Sequence, residues 1–205
     1  YRNLFRDRDR GAEVYTLQIV TGLVAVLLLL KGLFVFNAST SLIYDPGLWG
    51  LVRSPFQFLF SWNVIARTLT HLALALAMTG SALLFFIFHW RRQQAEHDAG
   101  HERSARTFGA ILTMVGSIIL APLTAWNIIT LPSASLSFNV FLFSFILLFI
   151  LLSACQALVF YLRTPGSRLG VDLFVLILLA FFMVIVTDHF ARENATKEHG
   201  IFLGG

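Results

Sequence analysis

Residues 67–90 read RTLTHLALALAMTGSALLFFIFHW, an apolar run that places His71 near its start and His89 at its far boundary. Its length decides the fold. A hydrocarbon core ~30 Å thick takes roughly 20 helical residues, and a helix satisfies every backbone N–H and C=O there without water. An ionisable side chain inside such a helix is costly and marks a functional position by default. The question posed by the sequence is what His71 binds.

The rest of the chain repeats this pattern. Of 205 residues, 57% are hydrophobic, 21 are Phe and 13% are charged, whereas a soluble domain carries about a quarter charged residues. Apolar blocks at 14–36, 63–90, 107–131, 137–162 and 169–187 predict an all-α integral membrane protein, a single membrane domain of five transmembrane helices. The longest irregular segment, 37–62, holds the turn Asp45-Pro46-Gly47 and aromatic residues such as Trp49, Phe56 and Trp62, which suit an interfacial loop. Pro122 should kink helix three, and Thr164-Pro165-Gly166-Ser167 separates helices four and five. Charge runs between hydrophobic helices usually face water, so His97 and His101 in the 91–106 connection read as surface. Cys155 is the only cysteine, which excludes the Cys-x-x-Cys-His attachment of a c-type haem within this chain.

Basic residues set the expected orientation. Ten arginines fall in the N-terminal segment and the connections after helices two and four, against at most Lys31, Arg53, Arg67, Arg192 and Lys197 on the other side. The positive-inside rule then makes the N-terminus cytoplasmic and the C-terminus periplasmic, in a prokaryotic inner membrane. The 37–62 loop, His71 and the 188–205 tail are expected on the outer side.

Residues at helical spacing from His71 are Arg67, Ala75, Met78 and Thr79, with Gly80 and Ala82 nearby. Small residues beside a histidine leave room for a flat ligand, and a guanidinium one turn away can hold a carboxylate by charge-assisted hydrogen bonds. Together these meet the needs of a b-type haem, whose iron takes imidazole. The competing reading has His71 hydrogen-bonded to a hydroxyl or carbonyl, with the small residues serving close helix packing; spacing alone does not choose. For a second axial ligand, antiparallel helix five brings Met183 to the depth of His71. The competing role for Met183 is core filler. His189 competes as ligand nearer the surface, and His89 is the candidate for a second haem.

The pattern His71, Thr79-Gly80 and Trp90, followed by a basic loop and Arg106-Thr107-Phe108-Gly109, resembles the large subunit of cytochrome bd quinol oxidases over residues 63–120. What the resemblance implies is axial ligation of a low-spin b haem by His71. Helix one has no histidine for a high-spin haem, so what is implied is a bd-like cytochrome b that moves electrons without reducing oxygen. The expected function is that of a haem-carrying subunit in a quinol-linked respiratory or photosynthetic complex. Tyr44, Asp45, Arg53 and Trp62 are candidates for a quinone pocket, since they combine hydrogen-bonding groups with an aromatic wall; singly, each also suits interfacial anchoring. The electron acceptor would be a periplasmic redox subunit such as a c-type cytochrome. The alternative is a haem-free membrane anchor whose Phe-rich helix four docks the redox subunits.

Overall fold

The polar residues at 37–44 do not end the first helix. Ser39 and Thr40 donate their hydroxyls to the carbonyls of Val35 and Phe36, at 2.9 and 3.1 Å, so they add no unsatisfied group to the helix. Asn37, Ser41 and Tyr44, spaced four and three apart, share one buried face. The computed structural model describes residues 2–45, 50, 59–90, 99–163 and 169–197. In it α1 runs Arg2–Tyr44, 43 residues, rather than 14–36, and the irregular segment expected at 37–62 loses its first eight residues to helix.

The chain is an all-helical membrane protein with five helices long and apolar enough to span a bilayer, and no strand occurs among the described residues. Helix α2 is Trp62–Trp90. Ser61 caps it: its hydroxyl accepts from Val64 N–H at 3.3 Å, relieving one orphan donor of the first turn. Helix α3, Ala99–Thr130, starts eight residues earlier than the apolar pattern suggested and continues through Pro122. A 3-10 turn, Ser133–Ser135, leads into α4, Phe138–Arg163. Helix α5 is Leu169–Lys197; residues 188–197, expected as a polar tail, are helical. Asp188, Arg192 and Thr196 recur every fourth residue, and Arg192 Nε and Thr196 Oγ1 bond the carbonyls four residues earlier, at 3.2 and 3.0 Å.

Helices α2 and α3 are in closest contact. A Cβ on Gly116 would meet Ala77 N at 2.6 Å and Ala73 O at 2.7 Å, so α3 lies directly on the α2 backbone through small residues. Leu120, Leu123, Leu147, Ile150, Ala180 and Val184 extend that seam into a core shared by α2 to α5. Across α2 and α5, Arg67 meets Asp188 at one end and Phe85 stacks on Phe174 at the other, so the two helices run antiparallel. Among its described side chains, those of residues 17–44, helix α1 joins this bundle near its C-terminal end. Asn37 Nδ2 donates to Thr68 Oγ1 at 3.1 Å and Ser41 Oγ to Asn63 Oδ1 at 2.8 Å, while residues 17–29 are exposed.

Candidate functional site

Polar residues from four helices converge at the end of the bundle that carries Tyr44. Arg67 is 2% exposed, and its Nη2 lies 2.5 Å from Asp188 Oδ2. Its guanidinium carbon sits 4.4 Å above the ring centroid of Tyr44, a cation–π arrangement that favours the charged form in a desolvated place. The Tyr44 hydroxyl, fully buried, makes a long 3.5 Å hydrogen bond to the Asp188 carbonyl. Arg67 Nε and Nη1 have no acceptor among the described residues. A buried guanidinium with two idle donors is costly.

His71 lies one turn further into α2. Its Nδ1 is 2.8 Å from the Arg67 carbonyl. A carbonyl can only accept, so Nδ1 carries a proton, and in the neutral ring this leaves the lone pair on Nε2. Metal-ligating histidines are usually fixed in this way, with the other ring nitrogen donating to a carbonyl or carboxylate. The ring is half-buried, and Ala75 and Thr79, one and two turns along the same face, are exposed. The face of α2 that carries His71 is therefore not covered by another described helix at Ala75 and Thr79. Gly80 is not part of that face, because its Cα faces the α3 backbone; for that residue close packing is the role.

Two asparagines flank this cluster. Thr68 and Thr70 commit their hydroxyl protons to the carbonyls of Val64 and Ala66, at 2.7 and 2.8 Å, and so can only accept from neighbouring side chains. The amide nitrogens of Asn37 and Asn127 supply those bonds at 3.1 and 3.3 Å. Both Oδ1 atoms are left without a donor among the described residues. Site residues missed in the sequence are thus Asp188, Asn37 and Asn127. Their only signal was the i, i+4, i+7 spacing of Asn37, Ser41 and Tyr44.

The remaining expected residues are dispersed. Met183 is level with His71 along the bundle but packs against the core of Leu120, Leu147 and Val184. It shares its face of α5 with Phe190, whose ring stacks on Phe143 of α4 at 5.2 Å. Asp188, which meets α2, is about 140° around the helix from Met183 at 100° per residue. Met183 thus lies on a different face of α5 from the one through which Asp188 meets Arg67. Tyr44 faces Arg67, whereas Trp62 is 68% exposed with its ring 6.0 Å from that of Trp126 on α3. Of the other quinone candidates, Asp45 is half-buried just past the end of α1, and Arg53 lies outside the described residues. His189 is exposed and pairs along its own helix with Glu193 at 4.0 Å. The side chain of His89 lies outside those described.

No three His, Cys, Asp or Glu side chains converge among the described residues as a bare ion would require. A haem iron brings its own equatorial nitrogens and asks the protein only for axial ligands, which is the donor set His71 offers. His71, with Arg67 one turn away, fits such a group. No family model matches this chain, and no curated protein or solved structure shows detectable similarity to it.

Proposed function

We propose that the chain is a b-type haem-carrying membrane subunit of a quinol-linked electron-transfer complex, with His71 as an axial ligand through Nε2. The observation that carries this reading is the 2.8 Å contact of His71 Nδ1 with the Arg67 carbonyl, which ties down one ring nitrogen and leaves Nε2 as the nitrogen that could ligate a metal. Bound there, the haem supplies a one-electron carrier. His71 would hold it, and Arg67, one turn away, would place a positive charge near its carboxylates. Tyr44 and Asp188 keep the guanidinium in place.

By the arginine distribution, the Tyr44 end faces the outer side of a prokaryotic inner membrane. A quinone would then approach near Asp45 and Trp62, and a c-type cytochrome would dock near the end of α5. One observation favours the haem-free anchor as a second reading: Phe138, Phe141, Phe145 and Phe149 form an exposed stripe along α4, a surface suited to another membrane subunit.

Pyridine haemochrome and Soret spectra of the purified complex separate the two. The haem reading expects b-type absorbance that is lost or turned high-spin in His71→Ala. Absence of that absorbance from the parent leaves the anchor, and an unchanged spectrum in the variant moves the ligand elsewhere.

A further inference from the structure

The structure points to α1 as a docking helix: we propose that it binds a transmembrane helix of another polypeptide that presents a carboxylate to Lys31. In the other four spanning helices 28% to 44% of the most apolar 18 residues are buried, but in α1 none are. Leu23, Leu27 and Leu28 are all more than half exposed, and Cβ atoms on Gly22 or Gly32 would meet nothing within 4 Å. Lipid alone could cover such a surface. Lys31 is the feature that lipid tails do not suit.

Lys31 is exposed and lies midway along the span Leu17–Tyr44. The Asn37 to Thr68 bond sets its level. Six residues further along antiparallel helices, Lys31 stands beside Leu74, the middle of the span Trp62–Phe86. The distance from Lys31 back to Tyr44 is roughly 20 Å at ~1.5 Å per residue, more than a four-carbon stem can cover by snorkelling. Intramembrane lysines face a bundle interior or pair with an opposite charge. No acidic side chain among the described residues pairs with this one.

A second copy of this chain does not complete the pair. The acidic residues within the five spans are Asp172, Asp188 and Glu193, all on α5. Asp188 is bound to Arg67 and Glu193 to Lys197, and Asp172 lies four residues into α5, near its other end. None is at the level of Lys31. The occupant is therefore a different membrane protein with an Asp or Glu at mid-depth.

The test places a photoreactive residue at Leu28 in membranes of cells that make the chain naturally, with Phe149 on α4 as the comparison site. The expected adduct from position 28 joins the chain to a polypeptide with an acidic residue inside a membrane span. Its yield should fall at least tenfold with Lys31→Leu, persist with Lys31→Arg, and return in Lys31→Glu when the partner's acid is replaced by lysine. Should Lys31→Glu not accumulate, the Leu and Arg variants carry the test. Adducts only to lipid, adducts only to a second copy, or a yield indifferent to Lys31→Leu would each overturn the proposal.

Discussion

A Cβ on Gly80 of α2 would stand 2.5 Å from the carbonyl oxygen of Gly109 on α3, so the two backbones touch with no side chain between them. The neighbouring Thr113 N and Oγ1 are equally close, and backbone atoms cannot move aside by changing rotamer. Gly80→Ala is expected to lower stability by about 1–3 kcal/mol, the range of overpacked cores, despite a helix-propensity gain of up to ~1 kcal/mol. Gly32→Ala on α1 meets nothing and gains only the propensity. Thermal unfolding in detergent should separate the two, with Gly80→Ala melting lower and Gly32→Ala unchanged or slightly higher.

Asn194 near the end of α5 holds the turn between α3 and α4. Its Nδ2 donates to the carbonyls of Ala134 and Leu136 at 2.9 and 3.1 Å, and Ser135 Oγ in the same turn donates to the Tyr44 carbonyl at 3.1 Å. Asn194→Leu strands two part-buried carbonyls, at about 1–3 kcal/mol. Asn194→Asp should be worse, since it turns an acceptor toward acceptors. Hydrogen exchange at residues 133–136 checks this: protection should fall in both variants, most in the Asp form.

Those contacts show where the sequence was legible. Five helices could be read because apolar blocks of the right length have one stable answer in a bilayer, and Arg67 with His71 because i and i+4 lie on one face. The ends of α1 and α5 were misread because polar residues signal loops only when they face water. Asn37, Ser41, Asp188 and Asn194 instead face neighbouring helices. Asp188 is 121 positions from Arg67, and no local pattern announces a partner that only the antiparallel register of α2 and α5 supplies. Depth alone paired Met183 with His71, and it gave no rotation about the helix axis.

That rotation has its own consequence. Met183 is half-buried against the core that α2 to α5 share, so Met183→Leu, close in volume, should cost less than ~1.5 kcal/mol. With haem bound at His71, the variant is expected to keep the parent's spin state and midpoint potential. A high-spin spectrum in Met183→Leu would instead require α5 to turn and place the thioether on the iron.

The Arg67–Asp188 pair allows a test with opposite signs. Removing one partner of a buried pair strands the other charge and costs on the order of 3–5 kcal/mol, while replacing both is often close to neutral. Asp188, with its side chain 24% exposed, should fall at the lower end. Asp188→Asn and Arg67→Gln are each expected to lower the unfolding temperature, and the double variant to recover most of the loss. Charge acts separately on a haem held by His71. An uncompensated Arg67 favours the added electron, so Asp188→Asn should raise the midpoint potential; an uncompensated carboxylate opposes it, so Arg67→Gln should lower it. The double variant should return toward the parent, because the pair together carries no net charge. Potentiometric titration of the b-type band checks all three. Shifts of the same sign in both single variants would mean that the pair acts on the site through packing rather than through charge.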